Sequence, residues 1–377
     1  MRKNFNNFYK LNKIATFFFI VIVVFAKFFN LESRSFSLDE LYSVCSALEP
    51  NYQKFLQNWV LYDSNPPLYY FFLRFWLKIF PATEFWARFP SVIFVLLASW
   101  FFINGIRKRF HHGEWKSLLL LVGCSYSFLF FAQEARAYAM LLLFAVLQLL
   151  CFIDLLQPEE KNFRRKLWYF TVFSILSSYT HYTGILVSAL LFGILMVCHY
   201  KHILILKKLI LGVFISFAAG LFWLPYFWVI VQMNKSFIVD QDVSVVKNII
   251  VMLFFGYEAI GKVFNAILLI AIFGICCLKI KAMRKSGFKE KSVMLLGLFF
   301  LMILSSPIIP YFFSYRHYII LIPLILLAIA ILSTSVDFSK KTQIIFMVAA
   351  IVISVSEGAT HYKSKREEWR QAVEYIV

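Results

Sequence analysis

Charge is scarce in this chain, and acid scarcer still: Asp, Glu, Lys and Arg make up 15% of 377 residues, with 20 acidic against 38 basic side chains. An ordinary soluble domain carries about 25% charged residues, so the sequence lacks the means to solvate a globular surface. There are six cysteines, of which Cys124, Cys151, Cys198, Cys276 and Cys277 lie in or at the ends of apolar runs and only Cys45 stands in a loop. That distribution offers no disulfide or zinc framework. Internal repeats and low-complexity tracts are missing as well. Nor does hydrophobicity alternate residue by residue, which excludes a lipid-exposed β-barrel.

What fills the chain is apolar: 61% of residues are hydrophobic, with 45 Phe, 19 Tyr and 9 Trp. Runs of about 15–25 apolar residues, divided by short charged loops, match helices crossing a hydrocarbon layer ~30 Å thick. The reading is an all-α polytopic membrane protein. Eleven spans are expected, at 14–31, 88–106, 115–131, 139–155, 168–182, 183–199, 209–231, 262–280, 292–306, 317–334 and 343–357. The first follows Arg2, Lys3, Lys10 and Lys13 and has no small-residue cleavage site, so it reads as an uncleaved helix.

A net charge of +18 would suggest nucleic acid in a soluble protein; here it reads first as sidedness, and no nucleic-acid partner is expected. The short apolar piece 66–80, with Arg74 and Lys78, decides the side of every later loop. If it does not cross, 23 basic residues fall on the cytoplasmic side and 14 outside, Lys27 lying within the first span. If it crosses, Arg107-Lys108-Arg109 and the cluster at 161–166 become external, against the positive-inside rule. Residues 66–80 are therefore expected to lie at the interface, with Arg74 and Lys78 snorkelling to the surface. The protein is placed in a plasma (inner) membrane with a cytoplasmic N-terminus.

The external segment 32–87 then holds most of the chemistry. Tyr52, Phe55, Leu56, Trp59 and Val60 recur at helical spacing, the stripe of an amphipathic helix. Asp63-Ser64-Asn65-Pro66-Pro67 reads as a turn before the next helix. Another interfacial helix is expected around Val246 to Phe255.

Asp39 and Glu40 stand just after the first span. Adjacent acids cannot point the same way, so one can reach a substrate while the other binds a fixed partner such as an arginine. The plainer alternative is a helix start, with Ser37 as N-cap and acids in the first turn. Arg88 opens the second span, and Glu134, Arg136 and Tyr138 fill a short external turn. His181-Tyr182 ends the fifth span, and Arg316 follows Pro307 and Pro310 at another external mouth. Each can be a headgroup anchor or a surface pair. Convergence on one face changes the reading: a carboxylate pair, several arginines and a rim of tyrosines suit an anionic lipid headgroup and a hydroxyl acceptor.

The order of these pieces resembles a known pattern. An acidic pair after the first span, Pro-Pro-Leu-Tyr-Tyr at 66–70, Arg-Phe-Pro-Ser at 88–91, Gln-Glu-Ala-Arg-Ala-Tyr at 133–138, His181-Tyr182, Arg316-His317-Tyr318 and a terminal Glu-Glu-Trp-Arg at 367–370 are similar to GT-C glycosyltransferases. Within these the match is to the family 39 group, which includes protein O-mannosyltransferases and lipid A aminoarabinose transferases. It extends over the whole chain, and its specific part is the first 140 residues. The resemblance implies a GT-C fold, a polyprenyl-phosphate sugar as donor, an external site and inversion at the anomeric carbon.

It further implies Asp39 as general base with Glu40 as its companion. Arg88, Glu134, Arg136, Tyr138, Arg316, Asn65, Tyr69, His181 and Tyr182 would line the cavity and hold the lipid phosphate. No cofactor or divalent metal is demanded, and the acceptor is a lipid, glycan or protein. Two departures stand out: Asn65 occupies the place of a histidine before the two prolines, and residues 358–377 read as the abbreviated start of a soluble domain after a catalytic unit at 1–357. A polytopic transporter or flippase is the alternative of a different class, and a lipid-linked glycan polymerase or ligase the nearer one. A transporter would place charges or broken helices near the midplane and often repeat its halves. Here the charges cluster at external helix ends.

Overall fold

Inside lipid a backbone N–H has to find a carbonyl within its own segment, so long runs of Leu, Ile, Val and Phe become helices. The computed structural model describes residues 16–61, 63, 65–109, 114–156, 162–223 and scattered positions between 319 and 330, and all regular structure among them is helical. The order is α1 Thr16–Phe28, α2 Leu38–Leu48, α3 Tyr52–Lys54 continued by a π-helical turn Phe55–Val60, and α4 Leu68–Leu77. Then come α5 Glu84–Arg109, α6 Glu114–Cys124, α7 Tyr126–Phe130, a 3-10 turn Phe131–Gln133, α8 Tyr138–Leu155, α9 Phe163–Thr180, α10 Tyr182–Cys198 and α11 Ile203–Leu221.

Three of these, α5, α8 and α11, are long and apolar enough to cross a membrane, while α1 and α10 are shorter apolar helices. The helices α9 and α11 begin before the spans read from hydropathy. Their extra turns contain Arg164, Arg165 and Lys166 in one case and Lys207 and Lys208 in the other. Lys and Arg are good helix formers, but they lower a hydropathy window. The expected span 115–131 is broken at Ser125 and tightens into the 3-10 turn before the site. The expected spans 262–280, 292–306 and 343–357, the interfacial helix at 246–255 and the tail from 358 lie outside the described residues.

Helix α8 is the axis, packed against α5 and α9 and buried along its length. It approaches α5 closely at Gly105, where a Cβ would come within 2.6 Å of the Leu150 side chain. Midway, the Gln148 amide donates to Ser174 Oγ at 2.8 Å and Ser188 Oγ at 2.9 Å, joining α8 to α9 and α10. At the far end Asp154 accepts from Arg109 at 2.6 and 2.7 Å and pairs with Lys166 at 2.5 Å.

Pro90 sits inside α5 and has no N–H to give the carbonyl of Trp86, four residues earlier. The indole of Trp76 donates to that carbonyl at 2.8 Å. Trp76, Phe80, Trp86 and Phe89 stack around this bond and fix the elbow between α4 and α5.

Residues 31–35 and Arg88 touch, so the segment between them leaves and returns to one end of the bundle. At ten residues α4 is ~15 Å long, too short to cross. One expectation within it is corrected. Arg74 does not snorkel: it is buried, donates to the carbonyls of Ala47 at 3.3 Å, Glu49, and Pro50 at 3.4 Å, and lies over the Phe55 ring. Carbonyls at a helix C-terminus and just past it have no partner within the helix, and a guanidinium fork serves those at the end of α2. Lys78 is exposed.

Candidate active site

Four consecutive residues tie four elements together. Gln133 Nε2 donates to Phe29 O at 2.8 Å and lies 3.4 Å from the carbonyls of Ala26 and Lys27, closing the end of α1. There the chain turns at Asn30, whose φ of 56° is left-handed, a conformation asparagine tolerates. The Glu134 carbonyl accepts from Ser91 Oγ of α5 at 2.6 Å. The Ala135 N–H donates to Glu40 Oε1 at 2.9 Å. Arg136 reaches the start of α2 and Tyr70 of α4.

Glu40 is fully buried and sits at the third position of α2, where a capping box forms with Ser37. The Ser37 N–H donates to Glu40 Oε2 at 2.9 Å, and the Glu40 N–H to Ser37 Oγ at 3.4 Å. The same carboxylate takes Arg88 Nε at 2.7 Å on Oε1 and Nη2 at 3.0 Å on Oε2. Arg88 also donates to the carbonyls of Leu31, Arg34 and Ser35 at 2.6, 2.9 and 3.0 Å. A guanidinium has five N–H donors, and these five contacts engage all of them. No donor is left for the phosphate that the sequence reading gave to Arg88, and Glu40 is enclosed by protein donors. Both are placed to hold the site's shape.

Arg136 is different. Its Nη1 lies 3.2 Å from Asp39 O, 3.0 Å from Ser43 Oγ and 3.2 Å from Tyr70 Oη, while Nε and Nη2 have no acceptor among the described residues. Asp63 Oδ2 stands 3.8 Å from Nη1. Burial works against the charge of Arg136. Asp63 first, then Tyr138, Asp39 and Tyr69, outweigh it and hold the pKa above its ordinary value. Asp39 is half-buried beside it in the first turn of α2. Asn65 is buried and donates to both Asp63 oxygens at 3.4 Å.

The aromatic rim is also gathered here. Tyr42 donates to Trp59 O at 2.7 Å, and burial, followed by Asp63, raises its pKa. Tyr69 lies beneath the cluster, 1% exposed, with its hydroxyl near Ser91 but with no partner in hydrogen-bond geometry among the described residues. Burial keeps that phenol protonated. Tyr138 opens α8 beside His181, the ring centres 5.9 Å apart. His181 is the N-cap of α10: its Nδ1 accepts from the Thr183 N–H at 3.2 Å and lies 2.9 Å from Thr183 Oγ1. Tyr182 Oη accepts from Trp223 Nε1 at 3.4 Å. Glu134 is buried within the cluster, and Arg316 lies outside the described residues.

Sequence reasoning missed Asp63, taking it only as a turn residue. Its signal was that any acid is rare in so acid-poor a chain. Among the described residues no three His, Cys, Asp or Glu side chains gather in a metal-holding group.

No protein-family model matches the chain, and no curated protein does. Solved structures do. ArnT from Cupriavidus metallidurans in the apo state has a TM-score of 0.61 at 14% identity, over 88% of this chain and 62% of that one. The same protein bound to undecaprenyl phosphate gives 0.59 at 16% identity, over 90% and 63%. This chain thus spans less than two thirds of ArnT's length. The likeness is one of architecture, and it makes the chain an all-α integral membrane protein with the GT-C fold.

Proposed function

We propose that this protein is a membrane glycosyltransferase, moving a sugar from a polyprenyl-phosphate donor to a hydroxyl acceptor with inversion. One observation carries the reading. Arg136 holds the Asp39 carbonyl with one edge of its guanidinium and offers the N–H groups of the other edge to no described acceptor. Asp39 and an uncommitted phosphate-binding fork therefore sit side by side among mostly buried side chains. The ArnT complex with undecaprenyl phosphate, on a shared fold, agrees with this chemistry.

In this mechanism the Asp39 carboxylate takes the proton of the acceptor hydroxyl. The acceptor oxygen forms a bond to the sugar C1 as the bond from C1 to the phosphate oxygen breaks, and the phosphate leaves with the electron pair. It is a good leaving group, so orientation and charge stabilisation are what the site has to supply, the latter from Arg136 with Arg316 as a second candidate. Glu40 and Arg88 act as positioning residues that fix the start of α2. The basic residues at the end of α5 and the starts of α9 and α11 lie at the opposite end of the bundle, and the positive-inside rule applied to them supports an external site.

Purified protein incubated with polyprenyl-phosphate sugars and hydroxyl acceptors should release polyprenyl phosphate. Asp39→Asn should lower turnover by roughly 10²–10⁴ with no change in thermal stability. Normal transfer by that variant rejects the assignment, and transport without release by the wild type favours the transporter class.

A further inference from the structure

Asp63 belongs to the cluster but has no part in the mechanism above. It stands between the π-helical turn and α4, 9% exposed, with Oδ2 3.8 Å from Arg136 Nη1. That distance lies within an ion pair and beyond a hydrogen bond. Asp63 therefore offsets the charge of Arg136 without taking up its N–H donors. A phosphate bound at Nε and Nη2 would lie across the guanidinium from a fixed carboxylate, roughly 6–8 Å away.

Donor and product differ in charge at this spot. A polyprenyl-phosphate sugar is a phosphodiester with one negative charge; the released monoester carries close to two above its second pKa of about 6. The geometry points to Asp63 as a charge filter beside the phosphate position: it tolerates the singly charged donor, disfavours the doubly charged product, and so promotes release of the polyprenyl phosphate. The inference rests on the transferase reading and assigns product discrimination to a residue outside the chemical step. At an intermediate dielectric, one extra charge at that separation is disfavoured by about tenfold in binding.

Other titratable groups face the same place. They are Asp39 and Tyr42 from α2, Tyr69 and Tyr70 from α4, Glu134 in the turn before α8, Tyr138 from α8, and His181 and Tyr182 at the start of α10. Histidine ionises near the phosphate itself, with an unperturbed pKa of about 6.5, so a single binding curve against pH would mix the two. The methyl ester of undecaprenyl phosphate removes this confusion. It keeps one charge at every pH, so the ratio of monoester to methyl-ester affinity reports the second phosphate charge alone.

The experiment measures that ratio for the full chain in nanodiscs at about pH 5 and about pH 8, on either side of the second phosphate pKa. Asp63→Asn should shift the ratio toward the monoester about tenfold at the higher pH and less than about twofold at the lower. Asp63→Glu should keep the wild-type ratio at both, and Asp63→Ser replaces Asp63→Asn if the latter does not purify as a monodisperse protein. An unchanged ratio in the neutral variant at high pH, or an equal shift at both pH values, overturns the inference. Failure of the wild type to bind either lipid removes the transferase reading instead.

Discussion

Glu40 and Arg88 meet between α2 and α5 as a two-pronged ion pair, Nε to Oε1 at 2.7 Å and Nη2 to Oε2 at 3.0 Å, with side chains 0% and 1% exposed. Removing either partner strands the other charge in a site that water does not reach. Glu40→Gln and Arg88→Met should each cost about 3–5 kcal/mol of stability. Arg88→Lys should recover little, because an ammonium cannot serve two carboxylate oxygens and three carbonyls at once. Thermal unfolding in detergent checks this, and an unshifted midpoint for Glu40→Gln would contradict the pair's structural role.

Arg136 should behave otherwise. Arg136→Gln removes the uncommitted fork and should weaken undecaprenyl phosphate binding about 10–100-fold, the worth of hydrogen bonds to a charged group. Arg136→Lys should recover only part of it. Binding to the purified variants decides the matter, and wild-type affinity in Arg136→Gln would move the phosphate elsewhere.

Tyr69 carries a buried hydroxyl without a hydrogen-bond partner among the described residues. Tyr69→Phe should therefore leave stability unchanged or raise it by up to about 1 kcal/mol, whereas Tyr70→Phe, which removes a partner of Arg136, should lower it by about 1 kcal/mol. The pH dependence has a definite sign. Burial raises the Tyr69 pKa, so the folded state retains the proton more tightly than the unfolded one. Stability is full below the ordinary phenol value of about 10 and falls as pH rises above it. Tyr69→Phe should flatten that alkaline decline in unfolding temperature.

Asp154 tests the separation of the two ends. Its contacts to Arg109 and Lys166 are partly exposed, so Asp154→Asn should cost only about 1–2 kcal/mol. Undecaprenyl phosphate affinity should stay at the wild-type value, and a large loss there would mean that the far end is coupled to the site.

Much of this layout was legible in the residues. The Ser37 cap, the divergence of Asp39 from Glu40 and an arginine partner for Glu40 all follow from helix geometry and from the cost of a buried acid. The failure of 66–80 to cross followed from charge sidedness. What could not be read depends on backbone placement. Arg88 is saturated by three carbonyls, and every residue type carries a carbonyl, so no pattern announces them. Arg74 was misplaced for the same reason, since the carbonyls it caps belong to another helix. Asp63 was overlooked because turn chemistry accounts for an aspartate before two prolines, and only the position of Arg136 gives it a second meaning.

The bond from Trp76 to Trp86 has a consequence beyond this molecule's own packing. Position 90 withholds a hydrogen and position 76 provides one, fourteen residues earlier and from another helix. The two form a single unit of inheritance: a relative with an ordinary residue at 90 closes its own helix and no longer needs the indole. The two positions should therefore change together through descent, and the angle of the elbow should change with them.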